Sequence, residues 1–199
     1  TSGYMGQSDS EDLNTARTAW SAVANAIIEF EPVTMVVDPR DIDGVAHWLD
    51  PRITVVAAEL DDAWMRDMGP TFVRDNAGAL HGVDWVFNGW GAQHWAKWDF
   101  DAQVAPQVLR EAGVPAVDST LVNEGGGIHV NGRGTLLATR TVQFDPFRNP
   151  GISQAEVEAE FARTLGVDRV IWFERGLVRD YEDFGTRGHV DIVACFADE

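Results

Sequence analysis

Three short segments carry residue types that can handle a planar cation. In Trp64-Met65-Arg66-Asp67-Met68-Gly69-Pro70 a carboxylate sits between an arginine and a Gly-Pro turn. A rigidly held carboxylate accepts two parallel hydrogen bonds from a guanidinium. An internal Asp67–Arg66 pair or a turn cap is the plainer use of the same residues. In Asn123-Glu124-Gly125-Gly126-Gly127-Ile128, Glu124 precedes three glycines, which permit close backbone approach on one side. No lysine and no helix start follow, so a phosphate-binding loop is excluded. A Gly-rich turn entering a hairpin is the alternative. In Arg187-Gly188-His189-Val190-Asp191 the imidazole and a carboxylate are two residues apart. On a strand they share a face, about 6.6 Å from each other. The carboxylate can then orient the histidine or bind the same substrate beside it.

Cys195 is the one cysteine, which rules out an internal disulfide and fits a reducing, cytoplasmic setting. It lies six residues past His189, about 20 Å along a strand, too far for a nucleophile and its base. Its neighbours Val193, Ala194 and Phe196 are apolar, so it is expected as a buried structural thiol.

The elements that must position these residues form a repeat. One amphipathic helix is expected over Asp9 to Phe30, then a strand over Val33 to Val37. The first unit has a helix-like stretch, Asp41 to Leu49, and a strand, Ile53 to Ala58. Asp67 follows, then a hairpin of Thr71 to Arg74 and Leu80 to Phe87 around Asp75-Asn76-Ala77-Gly78. The second has a helix, Ala102 to Ala112, a strand, Ala116 to Ser119, then Glu124. Its hairpin runs Ile128 to Val130 and Thr135 to Thr139 around Asn131-Gly132-Arg133-Gly134. The third starts at Ser153 with Glu156 three residues on, a capping-box pattern. Its helix runs to Leu165, its strand over Arg169 to Phe173. His189 precedes an alternating run from Val190 to Phe196, expected as the first strand of a further hairpin. Asp67, Glu124 and His189 thus occupy equivalent places about 60 residues apart, at loops that would meet at one centre. The unfinished third unit implies a chain truncated there.

The 199 residues carry a net charge of −17, from 32 acidic and 15 basic side chains. A nucleic-acid backbone would be repelled and cationic ligands favoured. No apolar run is long enough to span a membrane. Thr1 to Ser10 lacks the basic and apolar stretches of a secretory signal. Four of the eight tryptophans, Trp85, Trp90, Trp95 and Trp98, fall within fourteen residues. They fit either a core cluster or aromatic walls for a cation.

Taken in order, WMRDMGP, NEGGGIHV and GTRGHVDI resemble the segments of agmatine deiminases, guanidine-modifying enzymes related to bacterial-type peptidylarginine deiminases. DWVFNGWG (Asp84 to Gly91) and DPFRNPG (Asp145 to Gly151) fit the same family, and the resemblance covers essentially the whole chain. It implies a five-fold pseudo-symmetric α/β propeller (pentein) of ββαβ units, of which residues 1–199 would supply about three, truncated at both ends. It implies hydrolysis of agmatine to N-carbamoylputrescine and ammonia, with no metal or organic cofactor. By motif match Asp67 and Asp191 would grip the guanidinium, Glu124 would be a further acidic site residue, His189 the general acid/base, and Trp64 a pocket wall. A cysteine thiolate would attack the guanidinium carbon.

The family's nucleophile sits in a Gly-rich segment ending His-Cys, which is not among these residues, so the chain alone is expected to be inactive. Phe184 and Gly185 stand where the family often has an acidic residue before the Thr of the GHVD motif. Two other readings are a non-catalytic binder of cationic guanidines and a peptidylarginine deiminase-like enzyme. An acidic α/β interaction module would instead leave the Asp67, Glu124 and His189 loops apart. An open hairpin edge at Val190 to Phe196 would expose apolar surface and favour self-association, including a homo-oligomer.

Overall fold

The computed structural model describes residues 10–197. Asp9 and the leading segment, apart from Ser10, lie outside them. The chain divides into two compact units, residues 1–63 with 99–101, and residues 64–98 with 102–199.

The smaller unit opens with helix α1 (Ser10–Ile27), as its periodicity predicts. Ala24 is buried and Val23 is 60% exposed, so only one stripe of the apolar set faces inward. Strands β1 (Thr34–Val37) and β2 (Thr54–Ala57) pair in parallel, Thr34 opposite Thr54. The stretch expected as an amphipathic helix is a 3-10 turn, Ile42–His47, none of it buried. It contains a glycine and runs between Pro39 and Pro51, too short to propagate an α-helix. Three carboxyl groups are buried together here: Asp61, Asp62 and Asp101. The Asp101 carboxylate accepts the backbone N–H groups of Asp61 and Asp62, and Asp61 accepts that of Phe100.

The larger unit contains two copies of one ββαβ module. After helical turn α2 (Met65–Met68), β3 (Thr71–Arg74) and β4 (Leu80–Val86) form an antiparallel hairpin. Asp75 organises the turn by accepting from the backbones of Ala77 and Ala79. A kinked turn α3 (Gly89–Ala92) and helix α4 (Val104–Ala112) lead to β5 (Ala116–Val122), which runs parallel to β4. β5 extends past the expected Ser119, through a register shift opposite Asp84 and Val86. The second module repeats this order. β6 (Ile128–Val130) and β7 (Thr135–Thr139) form the hairpin, and α5 (Arg140–Gln143) and α6 (Gln154–Leu165) lead to β8 (Arg169–Phe173), parallel to β7. Asn131 closes the second hairpin as Asp75 closes the first. The capping box on α6 forms as read, with Ser153 and Glu156 each satisfying the other's backbone N–H.

Period two sends Val83 and Trp85 of β4, and Leu136 and Ala138 of β7, to one core. Val157 and Phe161, one turn apart on α6, complete it with no exposed surface. Burying a phenylalanine stabilises by about 1.5–3 kcal/mol. Each hairpin therefore pairs with the strand that follows it, and the loops carrying Glu124 and His189 come after that strand, at the carboxyl ends of β5 and β8.

The run from Val190 to Phe196 is not a strand. Residues 191–193 are a turn and 194–197 are coil. Val193 and Ala194 donate their N–H groups back to the Val190 carbonyl, which spends on a local turn the group a ladder would use. His189 and Asp191 accordingly do not share a strand face.

Candidate active site

Asp67 lies in α2, where its amide donates to the Trp64 carbonyl. Its side chain is not paired with Arg66. Oδ2 accepts from Trp90 Nε1 at 2.9 Å, and Oδ1 lies 3.7 Å from His189 Nδ1. Trp90 reaches it because the chain turns left-handed there: Trp90 and Ala92 have φ of 60° and 52°, and Gly89 and Gly91 beside them also have positive φ. A non-glycine residue in that region costs of order 1–3 kcal/mol and persists only where its surroundings enforce it. Here the Trp90 ring is fixed edge-on by Phe87, by stacking on Trp95, and by its bond to Asp67. The tryptophan cluster thus splits. Trp85 is core, while Trp90 and Trp95 form a wall beside the acidic group.

Glu124 follows β5 and is fully buried. Its Oε2 is 3.2 Å from His189 Nε2, and Arg148 Nε donates to both carboxylate oxygens at 2.9 and 3.1 Å. The glycines after it are required by close packing. A Cβ on Gly125 would stand 2.0 Å from the Arg66 carbonyl oxygen, and one on Gly126 2.4 Å from His189 Nδ1. Glycine lets this strand end lie against the α2 turn and the imidazole at once.

His189 is held by its backbone as well as its ring. Asp180 accepts from the N–H groups of Thr186, Gly188 and His189, and from the Thr186 hydroxyl. Thr139 Oγ1 donates to the Gly188 carbonyl at 2.6 Å. Gly188 has φ of 118°, a conformation that glycine adopts without strain.

Both imidazole nitrogens therefore face carboxylates, Nδ1 towards Asp67 and Nε2 towards Glu124. Burial alone would lower the histidine pKa. The Glu124 hydrogen bond and the charges of Asp67 and Glu124 outweigh it, and His189 is raised above its ordinary value. Burial likewise works against ionised Glu124, but Arg148 and His189 bring it down to about 2. At Asp67 burial outweighs the His189 charge and the Trp90 hydrogen bond and pushes the carboxyl up.

The structure thus brings Asp67, Glu124 and His189 into direct contact. Asp191 is exposed; it lies near enough for its charge to act on Asp67, and its amide donates to the Gly126 carbonyl. Trp64 is 40% exposed at the start of α2. Cys195 is exposed, which corrects the expectation of a buried thiol. With no strand to carry it, its apolar neighbours do not enclose it. Sequence reading missed Asp145, Arg148 and Asp180 as parts of the site, and the bond by which Trp90 joins Asp67. For Arg148 the signal was an arginine between two prolines in a motif already singled out, DPFRNPG. Among the described residues no set of His, Cys, Asp or Glu side chains is arranged to hold a metal ion, and no helix is long and apolar enough to cross a membrane.

Known proteins share this arrangement's sequence and fold. A Streptomyces coelicolor relative is 56% identical over 95% of this chain and 56% of its own length. The agmatine deiminase of Stutzerimonas stutzeri is 43% identical over 91% of this chain and 50% of its own. The chain thus spans about half the length of the curated relatives it matches. A solved agmatine deiminase of Enterococcus faecalis superimposes with a TM-score of 0.85 at 36% identity, covering 92% of this chain and 50% of that one. The fold is accordingly of the α/β propeller class expected from the motifs. The family model for Porphyromonas-type peptidyl-arginine deiminase matches residues 4–199, from the leading segment through the acid–histidine cluster, and this chain belongs to that family.

Proposed function

We propose that the protein hydrolyses a guanidine C–N bond, with agmatine as substrate and N-carbamoylputrescine and ammonia as products. The observation that carries this reading is an imidazole clamped between two buried carboxylates. Asp67 and Asp191 hold the guanidinium as a cation, so that attack meets an electron-poor carbon. A thiolate adds to that carbon. His189, whose two carboxylate neighbours favour its charged form, gives its proton to the departing nitrogen, and ammonia leaves. The neutral imidazole then takes a proton from water, which releases the product and restores the thiolate.

Cys195 is not that thiol in this reading, because both nitrogens of His189 are turned to carboxylates and Cys195 is exposed. The agmatine deiminases of Stutzerimonas stutzeri and Enterococcus faecalis support the substrate. The test is to incubate the purified full-length gene product with agmatine, and separately with an arginine-containing peptide, and to measure ammonia and ureido product. Turnover of agmatine, lost in His189→Asn and kept in Cys195→Ala, is expected. Turnover of the peptide alone would move the substrate to peptidyl-arginine, and loss of activity in Cys195→Ala would return the nucleophile to this thiol.

A further inference from the structure

Behind the acid–histidine cluster, charged groups alternate in sign. Asp67, His189, Glu124, Arg148, Asp145 and Arg187 follow one another with closest N–O distances of 3.7, 3.2, 2.9, 3.4 and 3.1 Å. The series starts in α2 and ends two residues before the histidine it contains. We propose that Arg148 is a positioning residue for His189, acting through Glu124 and through the loop that carries the imidazole.

The Arg148 guanidinium has no exposed surface and spends its donors on three targets. Nε holds both oxygens of Glu124, one nitrogen faces Asp145, and the other donates to the Thr186 carbonyl at 2.8 Å. Thr186 is three residues before His189, and Arg187 is tied to the same Asp145 while lying over the Phe147 ring. One planar group thus fixes the carboxylate that bonds Nε2 and the backbone that delivers the ring. A lysine has the charge but not the fork geometry that reaches all three.

The charge balance points the same way. His189 is faced by Asp67 from α2, by Glu124 after β5 and by Arg148 behind Glu124, while the charge of Asp191, two residues on in its own segment, acts on Asp67. Without Arg148, a carboxyl as deeply buried as Glu124 would be driven to take up a proton and could then no longer support a charged imidazole.

The proposal rests on the guanidine-hydrolysis reading only for its kinetic arm. In the full-length gene product, the Glu124 carboxyl would be followed by carbon NMR, identified by its loss in Glu124→Gln. In Arg148→Met its proton affinity should rise about 10- to 1000-fold, the range that a neighbouring cation controls. Arg148→Lys should restore part of that shift, yet lower kcat about 100-fold with KM within about twofold, the pattern of a misplaced catalytic group. A new acid limb should enter the pH profile of kcat in Arg148→Met. An unmoved Glu124 titration in Arg148→Met overturns the proposal. If that variant does not fold, wild-type kcat in Arg148→Lys overturns it. Absence of deimination in the wild-type protein would sink the function reading alone, since the titration still decides the role of Arg148.

Discussion

Replacing Gly126 by alanine should disable the imidazole while leaving the fold in place. Gly126 does not have positive φ, so its backbone accepts alanine. The new Cβ would stand 2.4 Å from His189 Nδ1 and 2.9 Å from Asp67 Oδ1, where ordinary contact begins at 3.4 Å. The ring must therefore retreat by about 1 Å. It cannot retreat freely, because Nε2 is already 3.2 Å from Glu124 and the peptide before it is held by Asp180 and Thr139. Relief comes from tilting the ring off the Glu124 carboxylate, which forfeits a charge-assisted bond of about 1.5–3 kcal/mol. A 1 Å displacement of a catalytic group costs about 100-fold in rate.

The assay is kcat for agmatine in the full-length product, beside the histidine titration followed by NMR. The expected result is a kcat about 100-fold down and a His189 pKa that falls, since burial persists when the Glu124 bond is lost. Gly125→Ala is the contrasting perturbation. Its Cβ meets a backbone oxygen at 2.0 Å, which cannot swing away, so it should lower the melting temperature. Gly44→Ala, with nothing within 4 Å, should change neither. If Gly126→Ala keeps kcat within twofold and leaves the His189 titration unmoved, the packing argument for the glycine run is refuted.

Burial raises the Asp101 pKa from 3.8 to about 7, so the folded chain binds this proton more tightly than the unfolded one. The stabilisation of about 4 kcal/mol is present below pH ~4 and lost as pH rises through ~7; Asp101→Asn should flatten that part of a denaturation-against-pH curve. Trp90→Phe removes the indole donor to the buried Asp67 and should raise KM for a guanidine about tenfold and also lower the melting temperature, by steady-state kinetics and calorimetry. Phe161→Ala opens a cavity in the core shared by β4, β7 and α6 and should cost about 3–5 kcal/mol by chemical denaturation. Ser153→Ala breaks one half of the capping box and should cost about 1 kcal/mol in the same measurement.

Both hairpins could be read from the sequence because the signal is local. The short apolar runs in Leu80 to Val86 and Thr135 to Thr139 sit beside turns whose Asp75 and Asn131 close the loop within four residues. The α6 start was readable for the same reason. Val190 to Phe196 alternates and is not a strand, because a strand is a pairing and a period of two supplies no partner. Cys195 was misplaced with it. Trp90 was counted among the aromatics but not as a ligand of Asp67, since its positive φ is set by packing against Phe87 and Trp95. Arg148 was invisible as a partner because Glu124 lies 24 residues away and nothing in either segment names the other.

The two buried carboxyl groups beside His189 show why composition and motif could not divide their labour. Both follow the same rule of placement, just ahead of a hairpin, and both lose water on folding. Only Glu124 has a guanidinium behind it, which with His189 brings its carboxyl down to about 2; at Asp67 the His189 charge and an indole N–H offset part of the cost of burial and leave its carboxyl raised. A cation entering this cluster therefore gains little new charge from Glu124, whose partner is already in place. It gains most from Asp67, where burial outweighs the His189 charge and the indole N–H and a further cation is favoured. In the proposed reaction that difference assigns the roles: Glu124 serves the imidazole, and Asp67 serves the substrate.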